Sequence, residues 1–333
     1  MENAALVIYA GGIREITMVM GACAVPGFRD ICMKCSTVLG TSAGALMGFI
    51  IACCPDAESL SRVKPAIVPH SITWWDIIMD ILLGRDVITR DEIRESLLKA
   101  LYAIQPDAKH RNTVTLHRDL VVGEVKHTAD VPNGDGRVRY KYEEVVFKKG
   151  QPYLQDDVLD YVIPSASIIG VTTSNNSDGA QMHSFPVDYY EEHIRGQQKV
   201  FMISPYPMIE MMTPVADDGA SRIVRMFYSI FYGSQMYHVG DDAREILGNT
   251  IGNSEAYYTL DYAEVYVNGN AYAVCPDDYY VANKVLSLTE NERELLLKVG
   301  GYMGRALANV VSNMGMGQAL ANVVGFYNIE LRM

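Results

Sequence analysis

The chain has 333 residues, of which 49% are hydrophobic, enough to build a sizeable core in one large domain or two ordinary ones. A net charge of -12 with no dense Lys/Arg run argues against a nucleic-acid partner and against strong adsorption to anionic membranes, so any contact with lipid has to come from apolar surface or a local patch. The six cysteines include the adjacent pair Cys53-Cys54 in an apolar helical pattern and read as buried free thiols; Cys32-x-x-Cys35 lacks the second pair or nearby His of a zinc site.

Met1-Glu2-Asn3-Ala4-Ala5 leads into an apolar run without a basic start or a small-residue cleavage site, which predicts a cytoplasmic protein. Ala4 to Tyr9 reads as a buried strand entering a tight turn at Ala10-Gly11-Gly12, and from Ile13 to Val25 the apolar spacing is helical. Ser36 to Leu39 is a second short strand, followed by Gly40 and a long apolar helix from Ala43. Strand, glycine turn and helix, twice over, predict an α/β fold with a parallel sheet and helices on its faces. The run Ala43 to Cys54 is too short for a bilayer span, and Val299 to Ile329 is interrupted by Arg305, Asn309 and Asn313. Between Thr73 and Leu83, Trp74, Trp75, Ile78, Ile81 and Leu82 recur at helical spacing, as in a helix packed on the core or a lid that touches membrane.

From Asp119 to Phe147, Leu120-Val121-Val122 and Val138-Arg139-Tyr140-Lys141-Tyr142 predict strands of a hairpin-like section around Pro132-Asn133-Gly134-Asp135-Gly136. Val200 to Ile203 is a buried strand closed by Pro205. Helical spacing returns from Ile223 to Ile246 and from Thr289 to Asn313, the latter opened by Thr289 and Glu292 at capping-box spacing. With no repeat, low-complexity tract or linker, the chain reads as a single domain over 1–333.

The chemistry centres on Gly40-Thr41-Ser42-Ala43-Gly44. Between a strand and a helix this pattern puts the serine on a sharp turn, where it can act as a nucleophile; a structural glycine turn with an idle serine is the alternative. Acyl transfer also needs donors for the developing oxyanion. Gly11 and Gly12 can present backbone amides at the same sheet edge, and the Ala43 amide adds the positive end of its helix. A nucleotide cradle fits the Gly11-Gly12 turn poorly, since no Lys-Ser/Thr pair follows.

On these residues the sequence resembles the patatin-like phospholipases. Ala10-Gly11-Gly12-Ile13-Arg14 resembles that family's glycine-rich oxyanion loop ending in an arginine, and Gly40 to Gly44 matches its nucleophile elbow. The resemblance implies a three-layer sheet, mainly parallel, with helices on both faces. It also implies a Ser-Asp dyad acting on phospholipid or other fatty-acyl esters, with no cofactor or metal. The aspartate is expected in an Asp-Gly-Gly or Asp-Gly-Ala motif. Asp178-Gly179-Ala180 and Asp218-Gly219-Ala220 compete, and Asp178 is preferred because Pro186-Val187, a helical segment and the Val200 strand follow it at the family's spacing. Pro164-Ser165-Ala166-Ser167-Ile168-Ile169-Gly170 resembles the family's small-residue segment upstream of the aspartate. Gly84-Arg85-Asp86 and Leu295 to Ala306 extend the resemblance, with an insertion near 213–251. Arg14 is assigned either to a lipid phosphate or to bracing the loop. Departures from the family pattern are Ala10 and Glu15, where glycines are usual, Ile169 for a proline, and a short stretch from Gly170 to Asp178.

Two rivals stay open at the level of sequence. One is an α/β-hydrolase triad using His183, His193 or His238, all downstream of Ser42 as that order requires. The other is a lipid-binding or assembly protein that keeps the fold with a weakened site, motivated by Ala10 and Glu15. No EF-hand-like loop implies calcium.

Overall fold

The computed structural model describes residues 3–63, 89–129, 138–167, 176–207, 256–278, 280 and 288–314. The chain opens with β1 (Ala4–Ile8), α1 (Gly12–Cys23), α2 (Pro26–Lys34), β2 (Thr37–Thr41) and α3 (Ala43–Cys53). It continues with α4 (Ala57–Ser61), α5 (Arg90–Ile104), α6 (Ala108–Arg111), β3 (Thr113–Thr115), β4 (Asp119–Ala129), β5 (Val138–Phe147), β6 (Pro152–Leu154) and α7 (Gln155–Ser165). The remaining described elements are β7 (Asn176–Asp178), α8 (Val187–His193), β8 (Lys199–Ile203), β9 (Ala256–Leu260), β10 (Ala263–Asn268), β11 (Ala271–Pro276) and α9 (Glu290–Met314).

The principal sheet runs in the order β5-β4-β2-β1-β8-β11-β10-β9, with β7 paired to β4 off that path; β3 and β6 form a separate pair. Its five central strands, β4, β2, β1, β8 and β11, are mutually parallel. Antiparallel strands extend both sides: β5 and β7 on β4, and β10 with β9 beyond β11.

Strand residues alternate between two cores, as a pleat of period two requires. Ala4, Leu6 and Ile8 of β1 face a large core built with α1, α2, α3, α5, α7 and α9. Ala5, Val7 and Tyr9 face a smaller one completed by Phe185, Tyr190 and Ile194 around α8. The fold is a three-layer α/β sandwich, parallel at its centre, as expected.

Most expected elements recur with shifted ends, and the apolar helix expected over Ile13 to Val25 is interrupted. It stops at Cys23, because Val25 adopts an extended conformation (φ -86°, ψ 122°) and Pro26 opens a new helix at a position where its missing N–H is harmless. Thr289 and Glu292 form the capping contacts that their spacing predicts: the Glu292 amide donates to Thr289 Oγ1 at 3.3 Å and the Thr289 amide to Glu292 Oε2 at 2.7 Å. The segments Thr73 to Leu83 and Ile223 to Ile246, and the insertion near 213–251, lie outside the described residues. Among the described residues no single helix is long and apolar enough to cross a membrane.

At the sheet end remote from Ser42, Arg118 is buried just before β4. Its guanidinium donates to the carbonyls of Cys32 (2.8 Å), Ile51 (3.1 Å) and Cys54 (2.6 Å), satisfying groups that the ends of α2 and α3 leave open. All six cysteines are buried free thiols. Burial pushes the Cys35 thiol up to about 12, which makes it a poor nucleophile.

Candidate active site

Ser42 occupies the single-residue turn between β2 and α3 with φ 58° and ψ -129°, a strained conformation for a side chain with a Cβ. Two glycines permit it. A Cβ on Gly40 would run into the Gly44 carbonyl, and one on Gly44 into the Ile8 carbonyl. The helix that leaves Ser42 therefore packs directly on the end of β1, where the Gly11-Gly12 turn begins.

Asp178 arrives from the other direction by the register of β4. Along one edge of that strand, β2 pairs as far as Thr41 opposite Gly123, and β7 takes over at the next residue, with Asp178 opposite Glu124. The hand-over from one strand to the other sets the nucleophile and the carboxylate side by side. Ser42 Oγ donates to Asp178 Oδ2 at 2.7 Å, and both residues are almost fully buried. Asp178 is held further by the Ala180 amide, which donates to Oδ1 at 2.8 Å, and by its own amide, which donates to the Ser167 carbonyl at 2.8 Å.

Burial pushes the Asp178 carboxyl up to about 7, against the opposing pull of its hydrogen bonds from Ser42 and the Ala180 amide. A carboxylate so placed can take a proton from the serine and return it near neutrality, which is what a general base has to do.

The Gly11-Gly12 turn is shaped for exposed amides. Gly12 adopts φ 61°, the left-handed region that favours glycine. The preceding amides are already engaged, Tyr9 with the Ile203 carbonyl at 3.1 Å and Ala10 with the Ser184 carbonyl at 3.0 Å. Among the described residues the amides of Gly11, Gly12 and Ala43 meet no acceptor.

Arg14 is buried, with its guanidinium carbon 4.2 Å from the Tyr206 ring centroid, a position suited to bracing the loop. Glu15 beside it is also buried, and its carboxyl oxygens have no hydrogen-bond partner. Burial holds that carboxyl well above the usual carboxylate range despite the Arg14 charge.

The histidines of the rival triad do not reach the serine where they can be seen. His183 packs edge-on to Tyr142 at 4.8 Å and His193 packs on Tyr189 at 4.6 Å, while Ser42 Oγ bonds to Asp178. His238 and Asp218 lie outside the described residues.

Two residues at the site carry no role in the sequence reading. Ser165 Oγ accepts the Ser42 amide at 3.0 Å and donates to the Gly123 carbonyl at 2.6 Å. Glu144 accepts the amides of Asp188 (3.0 Å) and Tyr189 (2.6 Å) at the start of α8, and burial pushes its carboxyl up to about 7. The only signal for Ser165 is the small-residue run Pro164 to Ser167; for Glu144 there is none. Among the described residues no group of three or more His, Cys, Asp or Glu side chains is placed to hold a metal ion.

Comparison with protein-family models and with curated proteins finds no match. Among solved structures, VipD from Legionella pneumophila aligns at 13% identity and a TM-score of 0.42, over 93% of this chain and 67% of VipD. The type III effector protein ExoU aligns at 12% identity and a TM-score of 0.35, over 93% of this chain and 53% of ExoU. The chain thus spans about two thirds of the one and about half of the other. Overlaps this loose establish neither family nor function.

Proposed function

We propose that the chain is a lipid acyl hydrolase of phospholipase A or lysophospholipase type, patatin-like, that cleaves carboxylic esters through a Ser42-Asp178 dyad. The observation that carries this reading is the 2.7 Å hydrogen bond from Ser42 Oγ to Asp178 Oδ2 at a strained strand-to-helix turn. As Ser42 Oγ attacks the ester carbonyl, Asp178 accepts the hydroxyl proton, and the amides of Gly11, Gly12 and Ala43 stabilise the oxyanion. Collapse of the tetrahedral adduct expels the alcohol, which takes the proton from Asp178. Water then attacks the acyl-enzyme with Asp178 again as base, releasing the fatty acid and restoring the serine.

Lipid as the substrate class rests on the resemblance of the Gly11-Gly12 loop, the Ser42 elbow and the Asp178-Gly179-Ala180 to Pro186-Val187 spacing to patatin-like enzymes. A cytoplasmic location, with peripheral membrane contact through apolar surface, belongs to the same reading.

The test is labelling by a fluorophosphonate probe, followed by hydrolysis of a short-chain p-nitrophenyl ester and of phosphatidylcholine vesicles. Wild type is expected to label and to release fatty acid, and Ser42→Ala to do neither. A Ser42→Ala protein with full esterase activity overturns the assignment, and a wild-type serine that never reacts leaves lipid binding on the same fold.

A further inference from the structure

We propose that Ser165 is a positioning residue for the Ser42-Asp178 dyad, acting through the backbone of the nucleophile; the inference rests on the reading of Ser42 as that nucleophile. The argument begins with what the sheet leaves unpaired. Where β2 departs from β4 after Thr41 and β7 joins at Asp178, the ladder along that edge of β4 is interrupted. Two backbone groups face the gap, the Ser42 amide and the Gly123 carbonyl. Buried backbone groups must find partners.

The Ser165 hydroxyl serves both. It accepts from the Ser42 amide at 3.0 Å and donates to the Gly123 carbonyl at 2.6 Å, so one side chain replaces the missing rung. A hydroxyl is the smallest side-chain group that can accept and donate at once. Ser165 has no exposed surface, so water has no direct route to substitute for it.

The same stretch holds the other half of the dyad. Two residues on, the Ser167 carbonyl accepts the Asp178 amide at 2.8 Å, while Ser167 Oγ donates to the Ile163 carbonyl at 2.9 Å and ties that turn to α7. The end of α7 thus grips the nucleophile through a side chain and its base through a carbonyl. The Ser42 amide fixes the peptide whose other flank carries Ser42 Oγ and the Ala43 amide. Loosening it misdirects both attack and oxyanion binding, with little effect on how the acyl chain is held.

The experiment compares wild type with Ser165→Ala and Ser165→Thr. For Ser165→Ala we expect a loss of about 10²-fold in the rate of fluorophosphonate labelling and in kcat on a short-chain ester, with KM changed by no more than about twofold. Hydrogen exchange at the Ser42 amide is expected to quicken at least about tenfold. Ser165→Thr, which keeps the hydroxyl, is expected to recover most of the rate and the protection. Labelling of Ser165→Ala at the wild-type rate, or a Ser165→Thr as slow as Ser165→Ala, overturns the proposal.

If Ser165→Ala does not fold, Ser165→Cys carries the test, because it keeps the size and offers a weaker donor; a wild-type labelling rate there overturns the proposal equally. Failure of the nucleophile reading shows separately, as a wild-type chain that never labels. The exchange arm then decides on its own: unchanged protection of the Ser42 amide in Ser165→Ala overturns the contact, and loss of protection supports it.

Discussion

A carboxyl group walled off from water gives up its proton reluctantly, and the hydrogen bonds that Asp178 receives from Ser42 and the Ala180 amide offset only part of that cost. Two consequences follow at this residue. Ester hydrolysis should rise with pH through about 7 as Asp178 ionises, and a rate flat from pH 5 to pH 9 would count against its role as base. Stability should move the other way. The folded-state value of about 7 lies above the ordinary 3.8, so between those limits the folded chain keeps a proton that the unfolded chain has shed. The contribution is fully present below the ordinary value and is lost as pH rises through the folded one. Asp178→Asn removes this penalty. It is expected to abolish hydrolysis yet exceed wild type in stability at pH 8, by up to about 4 kcal/mol, with the two converging near pH 4. Urea midpoints at the two pH values check this, and because Glu144 is present in both proteins its own raised value cancels in the comparison. A variant no more stable than wild type at pH 8 refutes it.

At the level of elements, what could be read from the sequence depended on whether a segment had one buried face or several. β1, β2 and β8 were legible as short apolar runs between turns, and the Asp119 to Phe147 hairpin by its pattern around a Gly-rich loop. The Pro26 helix was hidden because apolar spacing continues through Ala24 and Val25, past the point where the backbone turns. β7 was hidden because Asn176-Ser177-Asp178 has no strand-like composition; only pairing with β4 makes it a strand. Ser42 and Asp178 were legible because glycines mark them locally. Ser165 was not, since its role comes from a contact 123 residues away in the chain. Elements also yield tests. Thr289→Ala should cost about 1 kcal/mol by removing the cap of α9, measured by chemical denaturation. Gly44→Ala places a methyl against the Ile8 backbone, which has little room to retreat. It should cost about 1–3 kcal/mol and depress labelling of Ser42, the clash outweighing the better helix propensity of alanine.

Across the whole molecule the two ends of the sheet have different tasks. The end that carries Ser42 leaves amides open and a carboxyl desolvated, while at the other Arg118 ties α2 and α3 to the start of β4. Arg118→Met should therefore destabilise the fold by about 3–5 kcal/mol, since each buried carbonyl left without a donor costs about 1–3 kcal/mol. Turnover per labelled serine should stay unchanged; a fall in that ratio would mean that the two ends are coupled. The sharing of one β4 edge between β2 and β7 also bears on how the chain reaches its final form. The 136 residues separating Ser42 from Asp178 mean that the pair exists only after a distant strand has docked on an edge that a nearer one already occupies in part. During refolding from urea, reactivity toward the fluorophosphonate should lag behind the recovery of circular dichroism, making the serine a clock for the last step of assembly.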